Sequence, residues 1–271
     1  MKTKSITTRQ TALITGASSG IGYELAKLFA RDDHDLVLVS RMAPMLERIA
    51  RELKRDCGVH VTIIAKDLFR PEAAQELYDE IRAAGITVDY LVNDAGQGAY
   101  GRFAETALDQ ELSIIQLNVT TLVVLTKLFL RDMLARDSGR ILQLASMVSK
   151  TPSPYQAVYA GTKAFVYNFT QSVIDELKGT NVTMTALRPG ATDTDFFNKA
   201  GAEDMWAVQH DKLGPADAVA RDGYEALMAG RPAIVSGLQN RIMDAVSNVI
   251  PDQAVARGMR KLDQPARKTR H

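Results

Sequence analysis

The stretch Ala12-Leu-Ile-Thr15-Gly16-Ala-Ser-Ser-Gly20-Ile-Gly22 reads as a strand, a glycine turn and the start of a helix. Ala12 to Thr15 is a short apolar run rich in strand formers, and Ile21, Leu25, Leu28 and Phe29 continue at helical spacing. Gly16, Gly20 and Gly22 permit tight backbone turns and the close approach of a diphosphate, whose charge meets free N–H groups at a helix N-terminus. With Ser18, Ser19 and Ile21 between them, they form a candidate diphosphate cradle. The spacing is G-x-x-x-G-x-G rather than G-x-G-x-x-G, so a plain glycine-rich turn competes on this segment alone.

Downstream, Asp35 to Ser40 reads as a second strand, and Arg41 follows nineteen residues after Gly22. That is near the distance at which a dinucleotide fold meets the adenosine ribose. An acidic residue there would bond the ribose hydroxyls of NAD and repel a 2′-phosphate, whereas Ser40-Arg41 offers a hydroxyl and a guanidinium fork; NADP(H) is favoured over NAD(H). A solvated loop arginine is the plainer reading of Arg41. Then come a helix from about Pro44 to Arg55, a strand Val59 to Ala65 followed by Asp67 and Leu68, a helix Glu72 to about Ala83, and a strand Asp89 to Asn93 that ends in Asn93-Asp94-Ala95-Gly96. Such alternation predicts a parallel sheet covered on both faces, with ligands outside the carboxyl ends of the strands.

A long helix is expected over 109–135, where Leu112, Ile115, Val119, Leu122, Leu125, Phe129 and Met133 recur near 3.6 spacing and Asn118 sits mid-helix. A fifth strand, Arg140 to Ala145, ends at Ser146. Thirteen residues on, Tyr159 and Lys163 lie four apart on another helix, on one face. An ammonium beside a phenol favours the phenolate, so Lys163 is expected to bring Tyr159 below its ordinary pKa of about 10. By itself Y-x-x-x-K is a common pattern, and its plain reading is an aromatic beside a solvated lysine. Gly161 between them costs about 1 kcal/mol in a helix, which predicts a close packing contact there. The sixth strand, Asn181 to Leu187, ends at Arg188-Pro189-Gly190-Ala-Thr192. Residues 195–213 lack a clear period and carry Phe196, Phe197, Met205 and Trp206, which reads as an apolar substrate-side loop; with Tyr155 they suggest a largely apolar pocket. A helix Ala216 to Met228 and a strand Pro232 to Ser236 bring the sheet to about seven strands. Ile242, Val246, Val249 and Ile250 follow at helical spacing. A basic tail of about 255–271, with Arg257, Arg260, Lys261, Arg267, Lys268 and Arg270, reads as a solvated terminus, with a membrane-surface contact as the rarer alternative.

Bulk properties set limits on these readings. A chain of 271 residues without repeat or composition break suits one α/β domain, and a net charge of +1 with scattered basic residues gives no electrostatic case for nucleic acid. The single cysteine, Cys57, precludes an intrachain disulfide, and His34, His60, His210 and His271 are too dispersed to suggest a metal site. Apolar runs such as Leu122 to Leu130 stop short of the ~20 residues of a membrane span. A cytoplasmic protein is expected.

Taken in order, the motifs resemble those of the short-chain dehydrogenase/reductases over nearly the whole chain. Thr15-Gly16-Ala-Ser-Ser-Gly20-Ile-Gly22 is similar to the family's cofactor motif, and Asn93-Asp94-Ala95-Gly96 to its Asn-Asn-Ala-Gly. Asn118, Ser146, Tyr159 and Lys163 are similar to its catalytic tetrad, and Pro189-Gly190 with Thr192 to its nicotinamide-side motif. The resemblance implies an α/β, Rossmann-type doubly wound parallel sheet in a single domain, with strand order 3-2-1-4-5-6-7. It implies hydride transfer between NADP(H) and a small carbonyl or alcohol substrate: Ser146 holds the substrate oxygen, Tyr159 is the acid or base, Lys163 bonds the nicotinamide ribose, and Asn118 kinks its helix and holds a relay water. Pairing through helices 109–135 and 155–178 into a homodimer or homotetramer is implied as well. Two departures stand out. Asp94 replaces the usual asparagine, and Gly161-Thr162 replaces the commoner Ala-Ser. A nucleotide-binding sensor without catalysis is the rival from another class, while a serine hydrolase built on Ser146 lacks the G-x-S-x-G elbow.

Overall fold

The computed structural model describes residues 9–210, 213–247 and 251–264. Of the expectations above, those on Val249 and Ile250, and on Arg267, Lys268, Arg270 and His271 lie outside the described residues, as do the side chains of Val246 and Lys261.

Seven strands form one sheet: β1 (Thr11–Thr15), β2 (Asp35–Ser40), β3 (Val61–Ala65), β4 (Tyr90–Asn93), β5 (Gly139–Leu144), β6 (Val182–Arg188) and β7 (Ala233–Val235). Their spatial order is β3-β2-β1-β4-β5-β6-β7, and every pairing is parallel. The direction of winding reverses between β1 and β4, where Thr15 lies level with Val39 on one side and Asn93 on the other. A crevice opens at such a point because the loops leaving neighbouring strands turn to opposite faces.

Period-two alternation feeds two cores. Ala12, Ile14, Leu36 and Leu38 face the layer of α1 (Gly20–Arg31), α2 (Ala43–Cys57) and α9 (Ala216–Met228), where Leu25, Phe29, Leu46, Leu53, Val219 and Tyr224 are buried. Leu13, Val37 and Val39 face α3 (Ala73–Ala83), α5 (Leu122–Ala135) and α6 (Ala157–Glu176), with Leu77, Ile81, Leu125, Phe129 and Val173. A strand buried on both faces has to be apolar throughout, which is why these strands read as near-continuous hydrophobic runs.

The helix expected over 109–135 is broken. It runs as α4 (Leu108–Ile115), a π-helical segment Gln116–Thr121 and then α5. Leu108–Ala135 has the length and composition to cross a membrane, with mean hydropathy 1.6 over 18 residues; Leu117, Leu125, Phe129 and Met133 on its inner side are buried in the second core.

Two expectations fail and a third is refined. A Cβ on Gly161 would meet nothing within 4 Å, so no packing contact requires that glycine. The loop 195–213 carries two short helices, α7 (Phe196–Ala200) and α8 (Trp206–His210), because Phe197, Ala200, Ala202 and Met205 gather into a small core of their own. The helical spacing that begins at Ile242 falls in α10 (Leu238–Ser247), but the basic tail expected to be solvated from about 255 starts as a packed helix, α11 (Asp252–Asp263), in which Val255, Met259 and Leu262, at i, i+4 and i+7, turn one apolar side inward.

Candidate active site

A cavity of about 700 Å³ runs along the carboxyl ends of the strands. Its lining includes most residues singled out in the sequence: Gly16, Ser18, Ser19, Gly20, Ile21, Arg41, Asp67, Leu68, Ala95, Gly96, Ser146, Tyr159, Lys163, Pro189, Gly190 and Thr192. Gly22, Asn93 and Asn118 stand behind that wall.

At the turn, Gly16 and Gly20 have φ of +73° and +58°, conformations that disfavour a side chain. Ser19 precedes α1 but makes no side-chain cap. The Gly22 N–H is met instead by the Asp94 carboxylate, and Cβ atoms on Gly22 and Gly16 would fall 2.5 and 2.9 Å from Asp94 Oδ2. Thr15 Oγ1 accepts the backbone N–H of Asp94 at 3.2 Å and of Ala95 at 3.1 Å, which ties the end of β4 to β1. Asn93 turns into the sheet and donates to Thr126 Oγ1 and Gln143 Oε1.

At one end of the cavity, Arg41 lies 4.8 Å over the Phe69 ring and 3.9 Å from Asp67. Phe69 escaped the sequence reading, and its face holds the guanidinium at the mouth.

At the reacting end, Ser146 follows β5 and its Oγ accepts the Val148 N–H at 3.3 Å. Tyr159 hydrogen-bonds to Ser146, and Phe196 lies 5.1 Å from its ring. The expected fall in the Tyr159 pKa is not present: burial pushes the phenol up to about 12, opposed only by Ser146. The reason is where Lys163 points. Its Nζ donates to Leu144 O at 2.6 Å, and it stands 5.8 Å from the centre of the Tyr159 ring. Burial lowers the Lys163 ammonium to about 8 against the pull of Asp94. Asn118 occupies the π-helical segment; its Oδ1 accepts the Gln97 N–H at 3.0 Å, and its Nδ2 donates to Gln97 O at 2.9 Å and Thr162 Oγ1 at 3.0 Å. The asparagine clamps the Gly96 loop to α6, one residue from Lys163.

The far end is built from residues that sequence reasoning missed: Asn240 and Met243 of α10, and Val255, Met259, Leu262 and Asp263 of α11. α11 is fastened at its last turn. Ser153 Oγ donates to Asp263 Oδ2 at 2.7 Å, Tyr100 OH donates to Asp263 O at 2.6 Å, and the Trp206 N–H donates to Gln264 O at 3.1 Å. Burial pushes the Asp263 carboxyl up to about 6. α10 is held by Arg188, which reaches both Asp244 oxygens, at 2.9 and 2.5 Å. Phe196, Phe197 and Met205 line the cavity as expected; Trp206 and Tyr155 do not. Trp206 stacks on His210, and Tyr155 lines an outer groove beside Arg102, Phe103, Arg257 and Arg260. The apolar spacing of Val255, Met259 and Leu262 was present in the sequence, overshadowed by the basic residues between them.

Residues 10–205 match the profile of the short chain dehydrogenases. The chain belongs to that family. Its relatives include a short chain dehydrogenase of Pseudocercospora fijiensis, 33% identical over 209 residues that cover 75% of this chain and 66% of that protein. Human 17-beta-hydroxysteroid dehydrogenase type 3 is 33% identical over 187 residues, 68% of this chain and 60% of that protein. The matched stretch is thus less than two thirds of either relative's length. A solved short-chain dehydrogenase from Sphingobium yanoikuyae in complex with NADPH aligns over 97% of this chain and 99% of its own, at 29% identity and a TM-score of 0.78. A nicotinamide dinucleotide fits the family cavity seen here, because the positive-φ glycines Gly16 and Gly20 and the first residues of α1 line its wall and leave room for a diphosphate between Arg41 and Tyr159.

Proposed function

We propose that this chain is an NADP(H)-dependent oxidoreductase that interconverts a lipophilic ketone or aldehyde and its alcohol. The observation that carries the reading is a single cavity in which Ser146, Tyr159 and Lys163 lie between the glycine turn and an apolar wall of Phe196, Phe197, Met205, Val255, Met259 and Leu262. The bound nicotinamide supplies or accepts the hydride. Ser146 holds the carbonyl oxygen by a hydrogen bond, and Tyr159, neutral over the physiological range, gives that oxygen its proton in reduction and takes it back in oxidation. Lys163, as a cation held by Leu144 O, bonds the nicotinamide ribose. Asn118 and Thr162 fix the turn of α6 that carries it.

Arg41 on its Phe69 platform supports a preference for NADP(H), since a 2′-phosphate would meet a guanidinium already held at the mouth. The apolar wall supports a lipophilic substrate, in keeping with the similarity to a hydroxysteroid dehydrogenase. Exposed Leu112 and Ile115 on α4 and Phe165 on α6 support pairing of two copies through these helices.

The test is one experiment with two variants. Tyr159→Phe should bind NADPH within a few-fold of wild type yet lose nearly all turnover on a panel of ketones and aldehydes. Arg41→Asp should keep turnover and shift its preference towards NADH. Saturable NADPH binding with no hydride transfer by the wild type would turn the reading to a nucleotide sensor; full turnover by Tyr159→Phe would remove that residue from the chemistry.

A further inference from the structure

Asp94 is an ionisable group of the cavity wall that the proposed chemistry does not use. It follows β4 and its Oδ2 occupies the space left by two glycines of the turn, because a Cβ on Gly22 or Gly16 would fall 2.5 or 2.9 Å from it. It also accepts the N–H of Gly22, the third residue of α1. That N–H is ordinarily met by the side chain of the residue before the helix, and Ser19 does not meet it. Asp94 is therefore the cap of α1, delivered from a neighbouring strand. An asparagine could make the same bond without a charge, so what is particular to this chain is an anion at the positive end of the helix that a diphosphate would also need.

We infer that Asp94 takes up a proton when a dinucleotide diphosphate enters the glycine turn, so that cofactor binding by this chain is proton-linked. This rests on the cofactor reading of the cavity. Two anions at one helix N-terminus repel, and the carboxylate can relieve the repulsion by protonation whereas the diphosphate cannot. The charges around Asp94 set where this happens. From α6, Lys163 favours the ionised form; from α1, the Gly22 N–H does the same; from β1, Thr15 bonds only its backbone; and burial outweighs them, raising the carboxyl to about 7. A diphosphate that raises it further binds more tightly when the pH is below that value and more weakly as the pH climbs through it. A further rise of one unit corresponds to about a tenfold loss of affinity over the whole titration, of which about fivefold falls between pH 6 and pH 8.

The experiment is calorimetric titration of the folded full chain with NADP+ at pH 7.5, in two buffers of different ionisation enthalpy, for wild type, Asp94→Asn and Lys163→Met. The wild type should take up a fraction of a proton more than Asp94→Asn; the 2′-phosphate titrates in both proteins and cancels in that difference. Asp94→Asn should match wild-type affinity at pH 6 and exceed it at pH 8, since the amide stands in for the protonated acid. In Lys163→Met, where the carboxyl loses its cation, the uptake should move to higher pH. Equal proton uptake by wild type and Asp94→Asn overturns the inference, as does loss of binding in a folded Asp94→Asn protein. Should the amide variant fail to fold, Asp94→Ser gives the same difference. No saturable NADP+ binding by the wild type would instead remove the cofactor reading itself.

Discussion

The two ends of the cavity are made in different ways. The end proposed to take the nucleotide is a set of strand ends and the turns that leave them, each within a few residues of its own motif: Gly16 to Gly22 after β1, Arg41 after β2, Asp67 after β3, Ala95 and Gly96 after β4. The end proposed to take the substrate is assembled across the chain, with Tyr100 and Ser153 reaching Asp263, 163 and 110 residues away, to hold α11 over the opening. The first is fixed by backbone geometry, the second by a few side-chain bonds between distant segments. Damage to the one should therefore abolish binding outright, while damage to the other should alter what is bound.

The sharpest way to break that contrast is Gly22→Ala. A methyl group there meets Asp94 Oδ2 at 2.5 Å and Gly16 O at 2.7 Å; the backbone oxygen cannot swing aside, and overpacking of this kind costs about 3 kcal/mol. Thermal unfolding should show the loss of stability, and fluorescence titration should show loss of NADPH binding. An alanine variant that binds NADPH normally would mean that the turn is looser than its geometry.

A smaller effect is expected at the other end. The Asp263 carboxyl is raised to about 6 by burial, against about 4 in an unfolded chain. A raised acid stabilises the fold fully below the unfolded value and loses that contribution as pH rises through the folded one, so wild-type stability should decline between pH 4 and pH 7. Asp263→Asn should flatten that slope and change KM for the carbonyl substrate, with NADPH affinity unaltered. Melting curves at several pH values and a KM comparison test both; an unchanged slope would show that Asp263 ionises without consequence for the docking of α11.

The smallest effect is expected where the two ends meet, on α6. Gly161 has open space in place of a Cβ, so Gly161→Ala should stabilise the protein by about 1 kcal/mol through helix propensity alone. Urea midpoints would show it. A destabilised variant would revive the packing contact that the sequence predicted there.

What could be read from sequence follows the same division. Strand order, the two helical layers and the glycine cradle depend on patterns that repeat at intervals of two or 3.6 residues or lie within one turn, and these survive in a linear string. The π-helical segment at Asn118 is absent from that periodicity; only the family resemblance implied a kink there, and the side chain's partners, Gln97 and Thr162, lie across the fold. Tyr159 and Lys163 were correctly placed on one helix, yet their electrostatics were misjudged: four residues of separation cannot tell that the ammonium turns to Leu144 O, or that burial dominates the phenol. The tail was misread for a related cause. Three apolar residues at helical spacing count for little in composition and for much once a cavity lies beneath them.

The fastening of α11 has a consequence for how this protein could acquire new substrates. The last dozen described residues supply Val255, Met259, Leu262 and Asp263 to the pocket while contributing no strand to the sheet and none of the turns at the nucleotide end. They form an interchangeable face on a constant machine. Grafting a different closing helix between Pro251 and Gln264, with Ser153 and Tyr100 retained as its moorings, would redraw the pocket and leave the proposed hydride chemistry in place.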